Sequence, residues 1–228
     1  MKKWLPLAAV VGTIIICFIL IAILDRKSPS SELEKLPALM DAKGRVEVEV
    51  GDFMLEKQPY MGSPDAPVKM IEFIDYKCPS CAEWEKTIFP DIKEKYIDTG
   101  IVQFYTINFP FLGPDSILAA SASEAVYRQS PEAFWQFKKQ LLLNQGKEAR
   151  IWATESFLLK MVKSNLTDLD QKLFKKDIQE HTYLFDVKED FKISAANGIY
   201  GTPSFVVNGE KAGSSLQELE AAIQQYTQ

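Results

Sequence analysis

Histidine occurs once and cysteine only three times in this chain of 228 residues. Cys17 lies in an apolar N-terminal stretch, so Cys78, Cys81 and His181 are the remaining thiol and imidazole groups, too few for a four-ligand zinc site. The same scarcity excludes a framework of structural disulfides. Excess positive charge is also lacking: a formal net charge of -5 offers no footprint for nucleic acid. Asp168-x-Asp170 lacks the glycine and terminal glutamate of a calcium-binding loop, which leaves open only a metal gathered from scattered carboxylates. There is no internal repeat and no low-complexity tract.

What is present is a 46% apolar fraction, enough for one sizeable core plus an attachment segment. Residues 4–24 are uncharged, with Lys2-Lys3 before them and Asp25-Arg26-Lys27 after, and are long enough to cross a bilayer as a helix. No small-x-small cleavage site follows, and Ile14-Ile15-Ile16 lacks the small residue that lipoprotein processing at Cys17 needs. An uncleaved signal anchor is therefore expected. The basic start favours a cytoplasmic N-terminus, which places the rest of the chain outside the cytoplasm, where disulfides persist.

The pattern divides the chain into a signal anchor (1–27), a polar stalk (28–43), a first α/β part (44–112), a helical insertion (113–197) and a second α/β part (198–228). Arg45-Val46-Glu47-Val48-Glu49-Val50 alternates and predicts a half-buried edge strand. Residues 68–74 are almost continuously apolar, as in a central strand covered on both faces. A helix kinked at Pro90 follows, then a strand over 101–109. Four or five helices occupy the insertion, broken at Ser130-Pro131, Asn144-Gln145-Gly146 and Asn165-Leu166-Thr167-Asp168. After Gly201-Thr202-Pro203 come a strand over 204–207, a turn at Asn208-Gly209 and a helix opened by the capping box Ser215-x-x-Glu218.

Outside the anchor the two cysteines stand together as Cys78-Pro79-Ser80-Cys81. A strand ending at Cys78 and a helix starting at Pro79 put the first thiol at a helix N-terminus, where unpaired N–H groups favour a thiolate. Cys81, one turn on, is expected to be more buried. These positions make Cys78 the exposed attacking sulfur and Cys81 its resolving partner. Pro79 and Ser80 bring no cation to the motif, so moderate oxidising power is expected. A purely structural disulfide would close too small a loop to stabilise the chain much.

Glu72-Phe73-x-Asp75-x-x-Cys78-Pro79-x-Cys81, with Ala66-Pro67-Val68 before it and Gly201-Thr202-Pro203-Ser204-Phe205-Val206-Val207-Asn208-Gly209 far behind it, resembles the DsbA-like thiol-disulfide oxidoreductases, in particular the membrane-anchored BdbD type. The resemblance implies a thioredoxin fold with an inserted helical domain. It implies that Pro203 is cis beside the disulfide, with the backbone at Thr202 and Pro203 available to a substrate. It implies that Glu72 is a buried acid that moves protons to and from Cys81; read from the residues alone, Glu72 could equally pair with a lysine at a strand edge. Many relatives carry histidine where this chain has Ser80. The implied substrates are thiols of exported proteins, and the implied partner is a membrane quinone-linked protein of the DsbB type, with no organic cofactor. Two alternatives stay open: a reductase that keeps exported thiols reduced, and a non-catalytic chaperone module.

The remaining residues have plainer readings. Trp84, Phe134, Trp135, Phe137, Trp152 and Phe157 are expected to pack helices together. His181, Lys175-Lys176 and Lys188-Glu189-Asp190 read as solvated helix residues. Asn165-Leu166-Thr167 reads as a loop leading into a capped helix.

Overall fold

The computed structural model describes residues 36–227 together with Ile15 and Ile16. The expected membrane segment at 4–24 and the stalk up to residue 35 lie otherwise outside the described residues. Among the described residues no helix is long and apolar enough to cross a membrane.

Five strands form one sheet: β1 (Tyr60–Met61), β2 (Val68–Ile74), β3 (Val102–Asn108), β4 (Ser204–Val207) and β5 (Glu210–Ala212), in the order β1-β3-β2-β4-β5. β2 runs parallel to β3 and antiparallel to β4, so it is the central strand, and all its residues except Lys69 are buried. That explains its continuous apolar run, since both faces are covered.

The β2–β3 crossover contains helices α1 (Pro79–Thr87) and α2 (Phe89–Ile92), followed by a π turn over Lys93–Ile97. Pro90 in the first turn of α2 makes the break expected there. On one face of the sheet Val68, Met70, Phe104 and Phe205 pack with Trp84 of α1 and with Leu219 and Ile223 of α8 (Leu216–Gln224). The other face buries Ile71, Phe73, Ile107 and Val206 against Ile193 of α7 (Leu184–Ala196). Full burial of each such side chain contributes roughly 1.5–3 kcal/mol, so the two layers fix the sheet between them.

Between β3 and β4 lie α3 (Pro114–Gln129), α4 (Pro131–Leu143), α5 (Glu155–Asn165), α6 (Gln171–Glu180) and α7. α3 is the middle helix. Its buried Ala119, Ala120, Ala122, Ser121, Ser123 and Ala125 are small enough for α4, α6 and α7 to pack closely around it. Each expected break is present, and side chains of Ser130, Thr154 and Asp170 cap the helices that follow. Phe134–Trp135, Phe137–Phe174 and Trp152–Phe157 pack within the insertion, while Trp84 packs on Phe104 and Phe205 of the sheet.

Four expectations need correction. Residues 45–49 have no strand partner: Val46 and Val48 are half-buried, but their backbone joins neither β1 nor β5, the edge strands of the sheet. Alternation reports one covered side and does not supply a backbone partner. The end of the expected stalk belongs to the compact unit that begins at Pro37: Lys188 Nζ donates to the carbonyls of Ala42 (2.7 Å) and Gly44 (2.9 Å). Lys188-Glu189-Asp190 is thus no solvated face, since Glu189 pairs with Lys57 at 2.8 Å and Asp190 is buried. His181 is half-buried and ends α6 in the left-handed region at φ 52°.

Candidate active site

β2 ends at Ile74, and a turn delivers the chain to Cys78, the N-cap of α1, with Pro79 in the first helical turn. The turn is held from several sides. The Asp75 carboxylate accepts from Lys77 N (2.8 Å), Ser116 Oγ (2.5 Å), Phe111 N (2.9 Å) and Leu112 N (3.0 Å). Lys77 Nζ forms a buried ion pair with Asp115 at 2.7 Å, and Asp115 also accepts from the amides of Trp152 and Ala153. Gln145 of the insertion donates to the carbonyls of Tyr76 (2.8 Å) and Cys78 (2.9 Å). The thiol segment is therefore clamped between the sheet and the helical insertion.

Cys78 and Cys81 are the free cysteines among the described residues. Their burial follows the expected order, with Cys81 at 0% exposure, but Cys78 keeps only 7% and is less open than expected. The Cys78 thiol donates to the carbonyl oxygen of Thr202 at 3.2 Å, and the Thr202-Pro203 peptide is cis. The distant Gly-Thr-Pro segment and the cysteine motif thus share one site.

The two sulfurs differ in acidity. Cys78 is lowered to about 6, chiefly by a hydrogen bond from the Cys81 thiol, with further help from the side chain of Thr202 and the backbone N–H groups of Cys81 and Ser80, against the opposing effect of burial. Cys81 moves the other way: burial raises it well above the usual thiol range, and the neighbouring Cys78 and Glu72 charges add to the rise. Such a pair keeps one sulfur as a thiolate and the other as a proton-holding thiol near neutrality.

Glu72 lies in mid-β2, opposite Thr106 and Phe205, with 0% exposure. Burial lifts its carboxyl to about 7, opposed by the charge of Lys138 and assisted by Glu85. Its Oε2 is 3.0 Å from Lys138 Nζ, which also donates to Glu85 at 2.5 Å. The lysine pairing is real, but it occurs in the interior and not at a strand edge. Neither carboxylate oxygen of Glu72 nor Oγ1 of Thr106 has a hydrogen-bond partner in the protein, Oε2 meeting Lys138 as an ion pair, and buried polar atoms of this kind are ordinarily satisfied by water.

Known proteins are similar to this chain over most of its length. A family model described as thioredoxin matches residues 54–225. The probable disulfide bond formation protein D of Bacillus cereus is 42% identical over 171 residues, covering 75% of this chain and 79% of the relative. Disulfide bond formation protein D of Bacillus subtilis is 37% identical over 158 residues, covering 69% and 71%. The crystal structure of BdbD from Bacillus subtilis superposes with a TM-score of 0.73 at 33% identity, covering 80% of this chain and 98% of that one. This chain belongs to the DsbA-like thiol-disulfide oxidoreductases of the BdbD type. It is accordingly a protein thiol-disulfide oxidoreductase with a thioredoxin fold and a helical insertion between β3 and β4.

Sequence reasoning passed over Lys138, Glu85, Gln145 and the Lys77–Asp115 pair. Lys138 did leave a signal. It sits within the buried stripe of Phe134, Phe137, Leu141 and Leu142 on α4, where a solvated lysine would not be placed. A second buried polar centre was also missed: Asn108 Nδ2 donates to Glu124 (2.8 Å) and Asp190 (3.1 Å), and Gln58 donates to Asp190 at 2.9 Å. Burial raises both carboxyls there, and the Asn108 side chain ties β3 to α3 and α7.

Proposed function

We propose that this oxidoreductase works outside the cytoplasm, anchored by residues 4–24, and introduces disulfides into exported proteins. The observation that carries this reading is the divergence of the two thiols, with Cys78 at about 6 and Cys81 well above its usual range. A stabilised Cys78 thiolate favours the reduced protein and so makes its disulfide an electron acceptor. Each tenfold preference for the thiolate at the working pH is worth roughly 1.4 kcal/mol, or about 30 mV for a two-electron couple.

In the cycle, a substrate thiolate attacks Cys78 of the Cys78–Cys81 disulfide. The S–S bond breaks, its electron pair goes to the Cys81 sulfur, and Glu72 supplies the proton that neutralises it. The substrate's second thiolate then attacks its own sulfur in the mixed disulfide, expelling Cys78 as a thiolate. The substrate leaves oxidised and the protein is left reduced. A membrane quinone-linked partner of the DsbB type accepts the electrons and restores the disulfide. Thr202 and Pro203 lie beside Cys78, where their backbone can align an extended substrate; no organic cofactor takes part.

Equilibration with glutathione tests the direction. A potential well above the thioredoxin value of about -270 mV supports the oxidase, and one near or below it identifies a reductase. Thiol labelling in intact cells gives a second readout, with Cys78 and Cys81 mainly oxidised in an oxidase. A reporter fused after Gln228 that is active only in the cytoplasm would overturn the location.

A further inference from the structure

A lysine with 1% of its side chain exposed is costly to bury unless its charge is matched. Lys138 is matched twice, 3.0 Å from Glu72 Oε2 and 2.5 Å from Glu85 Oε2. The rings of Phe89 and Phe104 lie 5.0 and 5.8 Å from its Nζ, completing an otherwise apolar cage. The three charges come from three elements: Glu72 from β2, Glu85 from α1 beside the thiols, and Lys138 from α4 of the insertion. Two carboxylates sharing one cation carry one uncompensated negative charge when both are ionised, and a single proton removes it. This count, as much as the burial of Glu72, decides how many protons the group holds.

We infer that Lys138 is a positioning residue of the redox site: the helical insertion supplies the buried cation that lets Glu72 alternate between its ionised and protonated forms instead of remaining protonated. The inference rests on the reading of Glu72 as the proton carrier for Cys81. When Cys81 leaves the disulfide as a thiolate, the Glu72 proton passes to its sulfur, and the resulting Glu72 carboxylate stays beside Lys138. When Cys81 later attacks a mixed disulfide at Cys78, its thiol proton returns to that carboxylate, its sulfur forms the new S–S bond, and the partner's sulfur departs with the electron pair. Without the cation the carboxylate form is unfavourable in this interior, and the second step loses its base. The charged and titratable groups that act with Glu72 are Lys138 from α4, Glu85 and Cys81 from α1, and Tyr76 from the turn after β2.

The test is a carboxyl carbon NMR titration of the full-length reduced protein in detergent, with the Glu72 signal assigned by its loss in Glu72→Gln. Lys138→Met should move the Glu72 midpoint up by about one pH unit or more, and Glu85→Gln should move it down by a similar amount. Lys138→Arg should hold it near the parent value. Opposite displacements from two neighbouring changes are not produced by loosened packing. If Lys138→Met does not fold, Glu85→Gln and Lys138→Arg decide the matter. A Glu72 midpoint that is unmoved by the substitutions, or moved in one direction by both, overturns the inference. The pH dependence of mixed-disulfide resolution by Cys81, measured on the same variants, separates the two readings. If it follows the Glu72 midpoint, both stand; if it stays fixed while the midpoint moves, the charge assignment stands and the proton-carrier reading of Glu72 falls.

Discussion

The sulfur of Cys78 lies 3.2 Å from the carbonyl oxygen of Thr202, the residue that precedes the cis-proline. That contact joins the two α/β parts of the chain at one point, because β4 follows directly and pairs with β2. A nucleophile approaching Cys78 therefore meets a half-buried stretch of backbone beside the sulfur.

The two sulfurs should fail in different ways. Cys78→Ser should abolish thiol exchange, whereas Cys81→Ser should leave a thiol that forms mixed disulfides without an internal resolving partner. Thiol trapping followed by non-reducing electrophoresis checks this: covalent adducts with exported proteins are expected for Cys81→Ser and none for Cys78→Ser.

Alkylation of Cys78 in the reduced protein should follow a single titration centred at about 6. Its rate should be near its plateau at pH 7.5 and fall about tenfold per pH unit well below the midpoint, because only the thiolate reacts. Measuring the iodoacetamide rate from pH 4 to 9 provides the check. A midpoint in the ordinary thiol range would remove the basis for the proposed direction of electron flow.

Gln145→Ala removes both hydrogen bonds that tie the insertion to Tyr76 and Cys78. A loss of about 1–2 kcal/mol in stability is expected, together with slower exchange, since the carbonyls it satisfies lie in the turn that aims the thiol. Urea unfolding of the reduced protein and peptide oxidation kinetics report the two effects separately.

Glu72 makes stability depend on pH in a direction set by its shift. Its folded value of about 7 lies above its unfolded value near 4.3, so between these limits the folded state binds the extra proton. Its contribution is fully present below about pH 4 and is lost as pH rises through about 7. Glu72→Gln should flatten the midpoint-temperature profile across that window and be relatively more stable at pH 8, by about 2–3 kcal/mol. Thermal unfolding at pH 4.5, 6 and 8 measures it.

Much of the fold is legible in the local pattern. The apolar run of residues 68–74, the breaks between insertion helices and the Ser215 cap are set by neighbours in sequence, and each is present. β1 and β5 escape because strands of two and three residues are too short to show a period. The alternating stretch at 45–50 misleads for the converse reason: Val46 and Val48 are half-buried, but their backbone pairs with no strand of the sheet.

For the site, the sequence by itself determined the dithiol, its place at a helix start and the distinct positions of its two sulfurs, because these depend on residues within one turn of each other. Only the tertiary structure decided what surrounds them. Lys138 reaches Glu72 and Glu85 because α4 packs against α1, and Gln145 reaches Cys78 because the loop after α4 folds back over the turn. Ion pairs and clamps between distant segments have no period and no spacing rule; they arise when buried charges and carbonyls must find partners in a closed interior.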